Sequence, residues 1–275
     1  MPEVSIIMPV YNGEEFLNLS IDSVINQGFK DFEFIIINDA SFDGTSRILD
    51  GFQQKEGRIK VLNNEYRLGV VKSLNIGLNN ARGSLIARID ADDRWYRNKL
   101  KLQVEAFNQD PDLMLLGTQK RLIDETGNEI IQRKMFHYYD YPDVKRNIHK
   151  ANIFNHSSVV FRKKIIDEVG VYDERYKNSE DYELWLRICS TRKAMILPQT
   201  LVEYRLHSNS VSSKRLKEQL YYSIRARITY IPKYGFSGFF SWFFFREVAF
   251  LILPPFVVTL SRKVRASIDQ FRNRF

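Results

Sequence analysis

Three acids stand within four positions at Asp90-Ala91-Asp92-Asp93, directly after the apolar residues Leu85, Ile86, Ala87 and Ile89. An apolar run of that length reads as a buried strand, and acids at its C-terminal end lie where open α/β sheets bind ligands. In an extended segment positions i and i+2 point the same way, so Asp90 and Asp92 present two carboxylates across a small alanine. Such carboxylates repel one another unless a cation stands beside them, and a hard divalent metal with oxygen ligands meets that need. The alternative for the stretch is a solvated turn whose acids cap a helix. A second acidic pair, Glu180-Asp181, follows Ser179 at the start of a helical pattern. A helix N-terminus favours the ionised carboxylate, partial burial raises its pKa, and Ser179 is the expected N-cap.

The elements that must position these acids are legible upstream. Val4 to Val10 reads as a buried first strand halted by Pro9 and a turn at Tyr11-Asn12-Gly13. Phe32 to Ile37, Ile59 to Leu62 and the run before Asp90 are further strands. Between them Leu17, Ile21, Val24 and Ile25, then Ile48, Leu49 and Phe52, then Val70, Val71, Leu74 and Leu78 recur at helical spacing. Strand and helix alternate four times with short loops, which is the pattern of an α/β fold with a parallel sheet covered on both faces. Asp39, Asn63 and Asp90 then fall along one sheet edge, where a nucleotide-sized crevice is expected. The second half is more varied. Leu113 to Leu116 and Ser157 to Phe161 read as strands, Arg121 to Ile123 with Ile130-Ile131 as a hairpin, and Asp143 to Ile148 as a short helix. Ala194 to Leu197 and Leu201 to Arg205 read as two strands leading to a basic helix over Ser213 to Tyr230.

Composition narrows the classes. The chain has 275 residues, a net charge of +8, one cysteine and four histidines. A lone Cys189 excludes an internal disulfide framework and a cysteine zinc site, and histidines so few and scattered make no zinc cluster. No Gly-x-Gly-x-x-Gly or P-loop pattern follows the first strand, so a dinucleotide cofactor is not expected. The N-terminus starts almost directly with a strand and shows no secretory leader pattern, so the catalytic part is expected to stay in the cytoplasm.

The ordered landmarks Val-Ser-Ile-Ile-Met-Pro-Val-Tyr-Asn, Ile-Asn-Asp-Ala-Ser-Phe-Asp-Gly-Thr, Arg67-Leu68-Gly69, Asn75-Ile76-Gly77-Leu78, Asp90-Ala91-Asp92-Asp93, Ser179-Glu180-Asp181 and Tyr204-Arg205-Leu206-His207 resemble the family 2 glycosyltransferases of the GT-A fold, over about Val4 to Ser212. The resemblance implies a Rossmann-like, mostly parallel central sheet flanked by helices, and inverting transfer from a nucleotide-sugar. It implies a catalytic domain over 1–212, with a nucleotide-binding half at 1–95 and an acceptor-binding half at 96–212, followed by a helical extension at 213–275. Pro9 and Tyr11 would frame the base, Asp39 would accept from the uracil N3–H, and Arg67 would lie near the diphosphate or donor sugar. Asp90 would hold the ribose or assist a metal, and Asp92 would ligate Mn²⁺ or Mg²⁺. His207 would approach the diphosphate or that metal, with Arg205 doing the same by charge, while Asp93 is expected to be structural or to contact the sugar. Asp181 would be the base, with Glu180 the first alternative. His156 would face the donor sugar, Trp185 would floor the acceptor site or fill the core, and Asn75 and Gly77 would anchor loops and helix packing.

The tail is aromatic and basic. Phe236 to Phe245 and Val248 to Phe256 are apolar runs separated by Arg246-Glu247, and neither reaches the roughly 20 residues of a spanning helix. They fit an interfacial anchor flanked by Lys and Arg, peripheral on the cytoplasmic membrane face, or else a clamp packed on protein. The expected partners are therefore a UDP-sugar, a saccharide or lipid-linked saccharide acceptor, and a membrane surface. A sugar nucleotidyltransferase would need a Gly-rich basic loop in place of Pro9 to Gly13. A nucleic-acid binder would interleave its basic residues with exposed aromatics across a face, whereas here they collect in the tail.

Overall fold

A computed structural model of the chain describes residues 1–130, 139–207 and 215–233, with Val248 and Leu251. Strands β1 (Val4–Val10), β2 (Phe32–Asn38), β3 (Ile59–Asn63) and β4 (Leu85–Arg88) alternate with helices α1 (Leu17–Ile25), α2 (Thr45–Lys55) and α3 (Val70–Asn80). The second half adds β5 (Arg94–Trp95), α4 (Lys99–Gln109), β6 (Leu113–Ile123), α5 (Tyr141–Asn147), β7 (Val160–Arg162) and α6 (Ile165–Val169). It closes with α7 (Glu180–Thr191), β8 (Lys193–Arg205) and α8 (Leu216–Lys233). All eight strands form one sheet in the order β3-β2-β1-β4-β7-β6-β8-β5. The pairs β3–β2, β2–β1, β1–β4 and β6–β8 are parallel, and those through β7 and β5 are antiparallel. The mostly parallel α/β sheet is thus present.

The continuous apolar strands divide at period two between two cores. Ile6, Met8, Phe34, Ile36, Leu85 and Ala87 face α1 and α4. Ile7, Ile35, Ile37 and Ile86 face α3 and α7. Each fully buried branched side chain contributes about 1.5–3 kcal/mol, so the doubly covered strands are the rigid part of the molecule. A Cβ on Gly77 would stand 2.5 Å from Ile7 Cγ2, so α3 lies too close to β1 for any other residue there.

Four local expectations change. Ser157 to Phe161 is not one strand: His156–Ser158 forms a 3-10 turn before β7. Ser158 Oγ donates to Asn155 O at 2.8 Å, a local bond that competes with ladder pairing. The two strands expected after Ala194 are one, β8, whose register against β6 jumps from Thr118–Leu197 to Gln119–Thr200. Pro198 falls in that gap, where its missing N–H needs no partner. Arg121 to Ile123 belongs to β6, and the hairpin survives as an isolated bridge from Ile123 to Glu129 around Gly127, whose φ is 91°. The short helix starts earlier, at Tyr141, because the Asp140 carboxylate accepts from Asp143 N at 2.9 Å and caps it. Ile131 lies outside the described residues, as do, apart from Val248 and Leu251, the apolar runs around 236–260 expected to meet a membrane. Among the described residues no helix is long and apolar enough to cross a membrane.

Candidate active site

The triad is built by the end of β4 and the turn after it. Asp90, Asp92 and Asp93 offer carboxylate oxygens that all lie within 4.8 Å of one another. What makes this tolerable is Arg88, two residues upstream and 3% exposed, whose guanidinium forks onto both oxygens of Asp90. Burial works against the Arg88 charge, but Asp90 more than offsets it and the guanidinium pKa lies above its ordinary value. Ser157, in the 3-10 turn, donates to Asp90 Oδ2 at 3.1 Å and accepts from Asp90 N at 3.0 Å. Trp95 Nε1 donates to Ser157 O at 2.8 Å and fixes that turn in place.

Asp92 and Asp93 are held from β8. His207 Nε2 lies 2.9 Å from Asp92 Oδ2, and that bond, against burial, raises the His207 pKa. Asp93 Oδ1 accepts from Arg205 N at 2.9 Å, while its Oδ2 is buried with no hydrogen-bond partner. Burial, then Asp92 and Asp90, push the Asp93 pKa well above the carboxylate range. Arg205 does not reach toward a ligand as its charge suggested. Its Nε donates to Asp92 O and its Nη1 to Asp124 O and Glu125 O, each at 3.0 Å, so it ties the turn after β4 to the loop after β6.

At the end of β2, Asp39 is buried and accepts from Asn64 Nδ2, Leu68 N and Gly69 N at 2.8, 2.7 and 2.8 Å. A carboxylate offers about four acceptor positions, so these three bonds leave one unused. Arg67, in the same loop, places its guanidinium carbon 3.8 Å from the Tyr11 ring centre. Pro9 does not halt the first strand as expected: it stands opposite Ile37, and the strand runs on to Val10, which pairs with Asn38.

The second acidic pair sits at the start of α7. Glu180 is 6% exposed and its Oε2 has no partner. Burial, then the adjacent Asp181 charge, push Glu180 up to about 8. Asp181 accepts from Tyr182 N at 2.6 Å and Asn152 Nδ2 at 2.9 Å; burial still raises its pKa against both bonds. Ser179 stands at the N-cap position, but its hydroxyl pairs with Ser223 Oγ of α8 at 2.9 Å instead of capping. Tyr176 Oη donates to Thr229 Oγ1 at 3.2 Å, so α8 fastens the segment that leads into the acids.

Between the two acid groups lies a pair that the landmarks do not single out. His156 Nε2 and Tyr172 Oη are 3.0 Å apart, and both rings pack on Trp185. Trp185 is 0% exposed, so it fills the core and floors no acceptor site. Burial, with Arg88 adding to it, holds His156 well below its usual pKa and therefore neutral. Asn75 anchors this region as expected, its amide donating to Tyr172 O at 2.9 Å and accepting from Tyr172 N at 3.1 Å. Arg88 feels Asp90, Tyr172 and Asp93, and in turn favours the ionised forms of Glu180 and Asp181. One buried cation thus connects the triad to the second acid pair. Its signal in the sequence was a lone charge inside an otherwise apolar strand.

Residues 5–170 match the family model described as Glycosyl transferase family 2. The chain belongs to that family. It is 33% identical over 269 residues to an uncharacterized glycosyltransferase of Methanocaldococcus jannaschii, covering 94% of this chain and 92% of the relative. It is also 33% identical over 229 residues to the O-antigen biosynthesis glycosyltransferase WbnJ of Escherichia coli, covering 81% and 87%. Among solved structures, S. aureus TarS 1–349 in complex with UDP-GlcNAc superposes with a TM-score of 0.67 at 20% identity, covering 83% of this chain and 67% of that one. The mannosyltransferase PcManGT of Pyrobaculum calidifontis, in complex with GDP-Man and Mn²⁺, gives 0.66 at 17% identity, covering 97% and 81%. These two share the GT-A fold. The protein is a nucleotide-sugar-dependent glycosyltransferase.

Proposed function

We propose that this glycosyltransferase moves a sugar from a UDP-sugar to a saccharide hydroxyl with inversion, in cell-surface polysaccharide assembly, with Mn²⁺ or Mg²⁺ at the triad. The observation that carries the reading is the placement of two differently prepared acid groups on either side of Arg88. The UDP-GlcNAc bound by TarS and the O-antigen role of WbnJ support the donor and the pathway. A lipid-linked acceptor, and cytoplasmic work against a membrane surface through the C-terminal extension, extend the same reading.

The chemistry of the triad fits a hard cation: three clustered carboxylates, an imidazole on Asp92, and an orphaned buried oxygen on Asp93. Asp92 and His207 would hold the ion. When bound, it would neutralise the charge growing on the leaving diphosphate. The remaining steps belong to the chain. Asp39 offers its open acceptor position to the base N3–H, and Pro9 and Tyr11 frame the ring. Arg67 leaves the Tyr11 face as the nucleotide enters and turns to the diphosphate. Asp90, already neutralised by Arg88, uses its free lone pair on a ribose hydroxyl. Asp181 takes the proton of the attacking acceptor hydroxyl, with its two hydrogen bonds favouring the ionised form. Glu180, neutral below about 8, spares Asp181 a second adjacent negative charge.

Thermal stabilisation by a panel of nucleotides and nucleotide-sugars, with and without Mn²⁺, tests this. UDP compounds are expected to stabilise only with metal, and Asp92→Asn to lose the metal dependence. Equal stabilisation in the absence of metal, or by Asp92→Asn, would overturn it.

A further inference from the structure

The 3-10 turn His156–Ser158 is braced from several elements. Trp95 Nε1 of β5 donates to Ser157 O at 2.8 Å, and Gln103 Nε2 of α4 to Ser158 O at 3.0 Å. Ser158 Oγ donates to Asn155 O at 2.8 Å, and His156 Nε2 stands 3.0 Å from Tyr172 Oη, between α6 and α7. Ser157, at the centre of the turn, is 0% exposed, so its hydroxyl is met by protein atoms alone. That hydroxyl is fully engaged at the triad. Its one proton goes to Asp90 Oδ2 at 3.1 Å, and its two lone pairs accept from Asp90 N at 3.0 Å and Arg88 Nη1 at 3.3 Å. The Asp90 carbonyl is held as well, by Ser20 Oγ at 3.0 Å and Asp93 N at 3.3 Å. With both backbone groups of Asp90 engaged, what remains to be set is the presentation of its carboxylate.

Arg88 alone leaves that choice open. Its fork gives one hydrogen bond to each oxygen, Nη1 to Oδ2 and Nη2 to Oδ1, and so treats the two alike. Ser157 breaks the symmetry. A carboxylate oxygen has two acceptor positions, so Arg88 and Ser157 together fill Oδ2, while Oδ1 keeps one unused. The Asp90 side chain is 33% exposed, so a ligand has access to it. We propose that Ser157 is a positioning residue that holds Asp90 with Oδ1 toward the ligand and thereby determines recognition of a ribose hydroxyl. This rests on the nucleotide-sugar reading above, in which Asp90 receives that hydroxyl. Without the Ser157 hydroxyl, each oxygen of Asp90 carries an unused acceptor position and Asp90 N loses its partner. The carboxylate then has two comparable presentations, and the ligand must select one at the moment of binding.

Titration calorimetry with Mn²⁺ present compares UDP with its 2′-deoxy and 3′-deoxy analogues on wild type, Ser157→Ala and Ser157→Cys. The cysteine variant keeps the side-chain volume with a weaker donor, and it carries the test where the alanine protein does not fold. Absence of UDP binding to wild type would overturn the nucleotide reading and this proposal with it. The expected result is a wild-type preference of about tenfold or more for UDP over one of the deoxy analogues. In the variants that preference falls to about twofold or less, because UDP weakens while the deoxy analogue stays within about threefold of its wild-type affinity. General damage to the site would instead weaken both compounds alike. UDP binding to wild type with no preference over either analogue, a preference that the variants retain, or equal weakening of both compounds overturns the proposal.

Discussion

The acids after β2 and β4 and those at the start of α7 are prepared in opposite ways. Asp39 receives three hydrogen bonds, Asp90 a bidentate arginine and a serine, and Asp92 an imidazole. Glu180 is as buried as many core residues, has an oxygen with no partner, and is pushed up to about 8. The acids proposed to hold the nucleotide are fixed and largely satisfied beforehand. Asp181, proposed above to take the proton, has its pKa raised by burial and stands beside a Glu180 that is neutral below about 8. Asp93 is the exception in the first group, being buried with an unpartnered oxygen, and it marks where a cation would complete the set.

The largest test of this contrast is to remove the proton acceptor while keeping its shape. Asp181→Asn should lower transfer by about 10²–10⁴-fold while UDP affinity stays within twofold, because a positioned general base contributes on that scale. Glu180→Gln should lower transfer far less. If the two losses are reversed in size, as measured by initial rates at saturating donor, Glu180 is the base. Next in size is Arg88→Met. Truncating one partner of a buried ion pair strands the other charge and costs about 3–5 kcal/mol. The unfolding midpoint in urea should fall accordingly, and Arg88→Met with Asp90→Asn should recover part of the loss. No recovery would mean that Arg88 acts through packing alone.

What could be read from the chain follows the same physics. The first four strands were legible because they are covered on both faces and so are continuously apolar. Arg88 was not, since a charge inside a buried strand looks like an interruption until Asp90 is seen folded back on it. Helix α4 escaped detection for a related reason: Lys99 and Gln103 occupy its inward face and break the apolar period. Lys99 is buried with its Nζ on Gln103 Oε1 at 2.8 Å, and Gln103 donates to Leu116 O and Ser158 O, each at 3.0 Å. The site residues in the landmarks were correctly placed along one sheet edge and one helix start. The connections among them, through Ser157, Tyr172 and Asn152, run over separations that no local spacing encodes.

A smaller effect separates the halves by pH. Glu180 has an ordinary value of 4.5 and about 8 in the fold, so between these the native state holds a proton that the unfolded chain releases. Stability therefore falls as pH rises through that window, by up to about 1.4 kcal/mol per unit, or about 2 kcal/mol from pH 6 to 7.5. Glu180→Gln carries no such proton and should flatten the profile. Urea midpoints at the two pH values for both proteins check this, and parallel profiles would remove Glu180 as the source.

The smallest effect concerns the joint between the halves. Asn75 on α3 belongs to the donor side, yet its amide satisfies both backbone groups of Tyr172, 97 positions away. Tyr172 in turn holds His156 over Trp185, the first turn of α7 beyond the acids. Asn75→Ala leaves a backbone N–H and C=O to find water and should cost about 1–2 kcal/mol. On the proposed reading UDP is held at the ends of the first four strands and should bind as before, whereas transfer should drop several-fold because α7 loses part of its support. The readout is therefore a split, with UDP affinity from calorimetry unchanged and the transfer rate reduced. A loss of both would mean that α3 itself shifts, and the two halves would then be a single unit with no separable joint at Asn75.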